Sequence, residues 1–409
     1  MTTPGFLRAR LGGLPRSFWM LWTGTLVNRL GMLVLPFLAL YLTSDRGLSV
    51  AAAGTILALL GVGQVFSQLI GGVLTDRIGR RATLTGGLLA TGAIMLALGY
   101  LDRLELIAGA ALLLGLALDV FRPATQSIIA DLVPGGDRAR AFGLLLWAMN
   151  LGFSVAMVLG GVLARAGFTT LFWVDAMTCV LFGLMVWRAV PETRGVAGRT
   201  HLPGGFADVL RDRVMIGLMA ISLVVAFVFL QNMATLPLAM RDDGLSAASY
   251  GLVMAVNGVV IVVVQPLIGH RLGRFDASRV LAFGILLTGV GFGSTALVST
   301  TAGYAACTVF WTLGEIVIQS VGVAIVAELA PPHLRGRYNG AYGTAAGLAA
   351  FVAPLGGTQL LVLGAPVLWS TCLALCVAAA VAQLVLGAAV RRRMPAPAAA
   401  SVPQFGPAS

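Results

Sequence analysis

Twelve long apolar stretches follow one another between Phe18 and Val390, and this recurrence restricts the fold more than any other feature of the chain. Most are near or above the roughly 20 residues with which a helix crosses the hydrocarbon core of a bilayer. They are placed near 17–42, 49–75, 82–101, 104–133, 140–164, 168–190, 214–240, 247–268, 277–299, 301–330, 338–363 and 366–390. Of the 409 residues, 58% are hydrophobic and 11% charged, whereas soluble domains run near about 25% charged. Lipid is therefore the solvent for most of this chain.

Against that background the formal net charge of +11 has to be read by position. All 27 basic residues are arginine, and 21 of them fall at the N-terminus, in the even-numbered loops between spans, or at the C-terminus. Arg46, Arg103, Arg165 and Arg241 fall in odd-numbered loops, and Arg29 and Arg122 inside spans. Arginine-rich loops stay on the cytoplasmic side, so both termini are expected in the cytoplasm, in agreement with an even number of crossings. The charge is topological, and no nucleic-acid partner is expected. The expected partners are the lipid bilayer and a small-molecule substrate, with a monomer as the working unit. Lysine is absent while alanine, glycine and arginine abound, as in a GC-rich bacterial genome, so the expected location is a bacterial cytoplasmic (inner) membrane.

Cys179, Cys307, Cys372 and Cys376 all lie in apolar spans, at spacings that suggest neither disulfides nor a zinc site, and read as free thiols. The first span is too long for the h-region of a cleavable leader and is expected to remain as an anchor.

The longest polar interruption, Pro191 to Arg213, divides the spans into two sets of six. The second set repeats the first at an offset near 197 residues. Gly47-Leu48-Ser49 with Gly54, Gly61, Gln68 and Gly72 returns as Gly244-Leu245-Ser246 with Gly251, Gly258, Gln265 and Gly269; Asp131, Pro134, Arg138 and Arg140 return as Glu328, Pro331, Arg335 and Arg337. Parallel repeats related by an axis along the membrane normal hold substrate near the midplane between them. The expected fold class is an all-α membrane protein with twelve transmembrane helices in two pseudo-symmetric six-helix halves. The expected parts are an N-terminal half (1–190), a cytoplasmic linker (191–213), a C-terminal half (214–393) and a Pro- and Ala-rich, disordered tail (394–409).

The loop between the second and third spans reads Gly72-Val73-Leu74-Thr75-Asp76-Arg77-Ile78-Gly79-Arg80-Arg81. Gly72 permits close helix packing and Gly79 a tight turn. Asp76 and Arg80 lie near a membrane boundary, where ion pairs are less screened, and a carboxylate there also suits a helix N-terminus. The bare alternative is that Arg77, Arg80 and Arg81 only fix topology. The segment matches every specified position of G-x-L-x-D-R-x-G-R-R/K and resembles the motif of the major facilitator superfamily, a resemblance that covers essentially the whole chain. It implies the major facilitator fold and a conformational latch. In that latch Asp76 docks on the start of the eleventh helix, near Tyr338 to Gly340, and Arg80 bridges it to an acid ending the fourth, here Asp131. The latch stabilises the outward-open state and breaks when the cytoplasmic side opens. The second-half copy, Gly269-His270-Arg271-Leu272-Gly273-Arg274, lacks the Asp, so an asymmetric latch is expected.

Helix five carries Gly152, Gly160 and Gly161 and resembles the antiporter pattern G-x-x-x-G-P-x-x-G-G, with Ala156 and Met157 in place of its Gly-Pro pair. Asn28-Arg29-Leu30-Gly31 with Pro36 resembles the first helix of the drug-efflux branch, with Asn28 where many members carry an acid.

A charged side chain at mid-bilayer costs about 2.5 to 3.5 kcal/mol on insertion scales, so those retained face a cavity or a partner. Five stand out: Arg29, Asp119, Arg122, Asp175 and Glu315. Asp119 and Arg122, three apart, share a helical face. Glu315 falls one place short of Asp119 in the repeat register and has no basic residue near it in its own helix. Two readings stay open. Asp119 or Glu315 binds the coupling proton or a cationic substrate, or the acids form fixed ion pairs with Arg29 or Arg122. Gln126, Gln231, Asn232 and Gln319 either bond substrate or join helices. His201, His270 and His333 fall in expected cytoplasmic segments, which argues against a histidine proton relay.

No G-x-x-x-x-G-K-[ST], H-E-x-x-H or G-x-S-x-G is present, so neither a nucleotide-driven pump nor a membrane enzyme is expected. Neither metal nor cofactor is expected, and a proton gradient is the expected energy source. The expected function is secondary active transport by alternating access. Proton-coupled efflux of drug-like or lipophilic small molecules is preferred on the first-helix resemblance and the modest polarity of the expected cavity. Import of a nutrient or metabolite, by symport or facilitated diffusion, is the alternative.

Overall fold

The computed structural model describes residues 14–134, 137–192, 209, 211–272, 275–331 and 335–393. Most of the expected linker (193–208), the expected tail, His201 and His333 lie outside the described residues, as do the surroundings of Gly72 and the side chains of Asp76, Arg122, Gln126 and His270.

Peptide groups placed in hydrocarbon must pair within their own segment, and every apolar stretch is helical. Helix α1 comprises Arg16–Leu30 and Val34–Leu40 and ends in a π-turn, Tyr41–Asp45. It is followed by α2 (Val50–Arg77), α3 (Arg80–Leu98), α4 (Leu104–Leu118 and Phe121–Leu132), α5 (Arg138–Leu163) and α6 (Phe168–Ala189). In the second half α7 runs through Arg213–Phe229, Gln231–Ala234 and Leu236–Asp242. Then come α8 (Ala247–Leu272), α9 (Ala277–Ser294), α10 (Thr301–Leu329), α11 (Arg335–Leu363) and α12 (Ala365–Arg393). Among the described residues, 11 helices are each long and apolar enough to cross a membrane. The twelfth crossing is α4, a 15-residue apolar segment continued, after a turn at Asp119 and Val120, by 12 more residues.

The interruptions have a common cause. Proline has no amide hydrogen for the carbonyl four residues earlier. Pro36, Pro123 and Pro237 deprive Met32, Asp119 and Met233 of that bond, and α1, α4 and α7 are interrupted beside those residues. Pro354 sits inside α11 without breaking it, in a segment packed against both α2 and α7.

The repeat is visible in local geometry. Gly47 (φ 65°) and Gly244 (φ 79°) both turn the chain in the left-handed region. Two residues later Ser49 Oγ accepts from the amide of Ala52, and Ser246 Oγ from the amide of Ser249, each at 3.2 Å, which caps the starts of α2 and α8.

Helix packing follows the same repeat. In the first half α1 packs on α5 and α6, α2 on α4, and α3 on α4 and α6; a shift of six helices gives the contacts of the second half, α7 on α11 and α12, α8 on α10, and α9 on α10 and α12. Between the halves, α2 lies along α11 and α5 along α8. Small residues allow these approaches. A Cβ on Gly61 would strike the backbone of Ala350 and Phe351, and one on Gly161 would stand 2.8 Å from Ala248 Cα. These contacts occupy the parts of the helices that lead to the odd-numbered loops. Toward the arginine-rich face, an added Cβ on Gly143 of α5, or on Gly340 or Gly343 of α11, would meet nothing within 4 Å among the described residues. Among the described residues, the close contacts between the halves therefore gather toward the odd-loop face.

Candidate functional site

Between α2 and α3 the chain reverses at Gly79, whose φ of 104° suits only glycine. Asp76 lies in the last turn of α2, and Arg77, its final residue, is exposed. Arg80 and Arg81 open α3. Arg80 Nε stands 3.1 Å from Asp131 Oδ2 at the end of α4, and the Arg81 guanidinium lies 4.7 Å from the centre of the Trp187 ring. Sequence reasoning missed Glu192, just beyond α6. Its carboxylate accepts from the amides of Arg80 at 2.8 Å and Arg81 at 3.2 Å, so it caps the N-terminus of α3. The available signal was an acid at the end of an apolar span, on the face that carries the arginines. On α11, Tyr338 donates to Asp212 Oδ2 at 3.0 Å, a bond within its own half.

The intramembrane charges separate by half. Asp175 on α6 is 2% exposed, and its Oδ2 accepts from the amides of Leu33 and Val34, both at 3.2 Å. It thereby supplies the acceptor that the restarted segment of α1 lacks. Asn28 Nδ2 reaches Cys179 Sγ at 3.2 Å beside it, and Arg29 Nη1 lies 2.9 Å from Met32 Sδ across the same break. Asp119 is half-buried at the break in α4, where its amide donates to Ser67 Oγ of α2 at 3.0 Å. Arg122 is one turn further along α4.

Glu315 on α10 is 8% exposed, and its hydrogen-bond partners among the described residues are neutral amides. Asn257 Nδ2 of α8 donates to its Oε2 at 2.8 Å and to Thr312 Oγ1 at 3.0 Å, while Gln319 Nε2 donates to Oε1 at 2.8 Å. No ion pair is formed by Glu315 among the described residues. The carboxylate borders a cavity of about 150 Å³ whose other walls include Phe229, Thr288, Gln319 and Ile318. Asp175 and Glu315 share no hydrogen-bond partner and lie in opposite halves.

Gln231 and Asn232 lie at the break in α7. Gln231 Nε2 donates to the Ala353 carbonyl of α11 at 3.1 Å, and the Asn232 carbonyl accepts from the Tyr250 hydroxyl at 3.0 Å. Tyr250 meets Phe37 of α1 edge-on, with ring centroids 5.3 Å apart, so aromatic contact across the halves closes the odd-loop face. The four cysteines are free and buried.

Residues 21–354 and, in a second match, 230–408 fit the family model described as Major Facilitator Superfamily. A Na(+), Li(+), K(+)/H(+) antiporter of Planococcus maritimus is 24% identical over 387 residues, spanning 85% of this chain and 88% of the relative. Multidrug resistance protein MdtH of Aeromonas salmonicida (strain A449) is 24% identical over 345 residues, spanning 84% and 87%. The crystal structure of a variant peptide transporter, POT, in complex with alafosfalin superposes with a TM-score of 0.79 at 18% identity, over 97% of this chain and 100% of that one. The chain belongs to the major facilitator superfamily and is a multi-pass membrane transporter.

Proposed function

We propose that this transporter is a proton-coupled exporter of lipophilic, cationic small molecules, and that Glu315 is where proton and substrate exchange. The observation that carries the reading is a buried carboxylate on the wall of a largely apolar cavity, hydrogen-bonded, among the described residues, by the neutral amides of Asn257 and Gln319. A carboxylate without a fixed cation has to be neutralised by something that comes and goes. A proton serves in one half-cycle and a substrate cation in the other. Each excludes the other, and that exclusion couples outward movement of substrate to inward movement of protons. Asp175, committed to the backbone of α1, is assigned a structural role. The arginine-rich face is taken as cytoplasmic, in a bacterial inner membrane; the close contacts gathered at the opposite face support reading this conformation as inward-facing. The relatives named for multidrug resistance and for cation/proton antiport favour this direction.

The test uses inverted membrane vesicles acidified inside by the respiratory chain, with lumenal pH followed by fluorescence. Adding tetraphenylphosphonium is expected to dissipate the gradient with the native protein and to have no effect with Glu315→Gln inserted at equal levels. Dissipation by Glu315→Gln would remove the acid from the mechanism. Silence of the native protein to a panel of lipophilic cations would overturn export and leave import as the reading.

A further inference from the structure

Two spaces adjoin inside the C-terminal half. The cavity of about 150 Å³ at Glu315 is followed by a narrower one of about 20 Å³, walled by Leu218, Leu281, Gly322 and Tyr342, and Ser222 and Val225 border both. Leu218 and Leu281 lie near the starts of α7 and α9, and Gly322 near the end of α10. The pair of spaces therefore runs from Glu315 toward the arginine-rich face.

The wider space holds several waters, the narrower about one. Among the described residues, the polar side chains of the narrow space are Ser222 and Tyr342, whose hydroxyls bond each other. Each hydroxyl has one donor and two acceptor sites, so the pair retains sites for a water, and two partners are the fewest that hold a buried one. A bond joining α7 to α11 accounts for the two hydroxyls but not for the water-sized space left beside them. Further along, Tyr338 precedes Tyr342 by four residues on the same face of α11 and donates to Asp212 Oδ2 at 3.0 Å. Both tyrosines pack on one apolar cluster that includes Met215 and Val326. Asp212 is the N-cap of α7, half-buried at the arginine-rich face. Groups able to accept and give a proton thus lead from a buried acid to one at the surface.

Resting on Glu315 as the exchange site, we propose that Ser222 and Tyr342 carry the coupling proton between Glu315 and the arginine-rich face, by a route inside the C-terminal half and separate from the path of the substrate. When a substrate cation takes its place, Glu315 gives its proton to a cavity water and remains as the carboxylate. Each group on the route then accepts a proton on one side and releases its own on the other, through Ser222, Tyr342 and the water beside them, and out by Tyr338 and Asp212. One proton leaves Glu315, one reaches the aqueous phase, and every group between regains its starting protonation. A cation in the cavity therefore does not block release of the proton it displaces.

The experiment adds tetraphenylphosphonium to the full chain in detergent, in weakly buffered solution with a pH indicator. Proton release is followed by stopped flow, and equilibrium binding is measured by calorimetry. Ser222→Ala and Tyr342→Phe are expected to bind the cation and to release protons to the native extent, but roughly a hundredfold more slowly, since a positioned proton-transfer group contributes about 10²- to 10⁴-fold. Gly322→Ala, whose Cβ would stand 2.9 Å from the Tyr342 hydroxyl and intrude on the water, is expected to slow release as well. Ser222→Thr keeps the hydroxyl and is expected to release at the native rate. Native rates in both Ser222→Ala and Tyr342→Phe would overturn the route while leaving exchange at Glu315 in place, and release by Ser222→Thr as slow as by Ser222→Ala would also overturn it. Cation binding to the native protein without proton release would overturn the exchange at Glu315 and the route with it.

Discussion

Arg80 and Asp131 form an ion pair across 3.1 Å, joining the first turn of α3 to the last turn of α4. The side chains are 15% and 33% exposed, so solvent screens them only in part. Asp131→Asn and Arg80→Gln are each expected to slow transport, and the charge-swapped pair Arg80→Asp with Asp131→Arg to recover part of the loss. A coupling of about 1 kcal/mol corresponds to roughly fivefold in rate. Initial rates of gradient dissipation, normalised to inserted protein, measure it; strictly additive effects would show that the pair carries no coupling.

Asp76 precedes Arg80 by four residues, in the last turn of α2, and the latch reading gives it the larger role. Asp76→Asn is expected to abolish most transport while leaving membrane insertion intact. Full activity of this variant in the vesicle assay would remove Asp76 from the cycle and leave the loop with topology alone.

The cap at the break in α1 is a stability matter. Leu33 and Val34 are 0% and 2% exposed, so Asp175→Ala would leave the buried Val34 amide without an acceptor and the Leu33 amide with the Gly31 carbonyl alone, at a cost of about 1–3 kcal/mol for the group left unsatisfied. The detergent-purified variant is expected to melt several degrees below the native protein. Asp175→Asn keeps an acceptor oxygen and is expected to regain most of the difference. Equal melting of Asp175→Ala and the native protein would show the cap to be dispensable.

How far the sequence carried depends on the range of each interaction. The twelve crossings were legible because lipid makes one local demand, an apolar helix of sufficient length, and the 197-residue repeat surfaces again in the paired Ser49 and Ser246 caps. The breaks were signalled by Pro36, Pro123 and Pro237, but hydropathy averages across a two-residue turn and reads α4 as continuous. Glu315 stood out as an acid in an apolar run. Its partner Asn257 did not, being 58 residues away on a facing helix, and Glu192 is 112 residues from the amide it caps. Contacts of that kind depend on which helix faces meet, which one chain's periodicity does not encode. The same limit applies to the cavity beside Glu315, since its walls come from α7, α9 and α10.

The tight contact of Gly61 with Ala350, set against the open surroundings of Gly340, yields two substitutions of opposite sign. A bulky side chain disfavours only the conformation in which its site is packed, and so shifts the population toward the other. Gly61→Leu forces α2 from α11 at the odd-loop face and is expected to open it; Gly340→Leu meets nothing among the described residues and is expected to hinder closure at the arginine-rich face. The reporter is Leu238→Cys, at a position 0% exposed in the part of α7 that leads to the odd-numbered loop, in a background with the four native cysteines replaced, labelled from the odd-loop side by an impermeant maleimide. Labelling is expected to rise about tenfold with Gly61→Leu, the effect of a population shift of about 1.4 kcal/mol, and to fall below the parent level with Gly340→Leu. If both variants labelled alike, the two glycines would not report opposite ends of one rocking motion, and the closure at Phe37 and Tyr250 would have to be independent of the α2 and α11 contact.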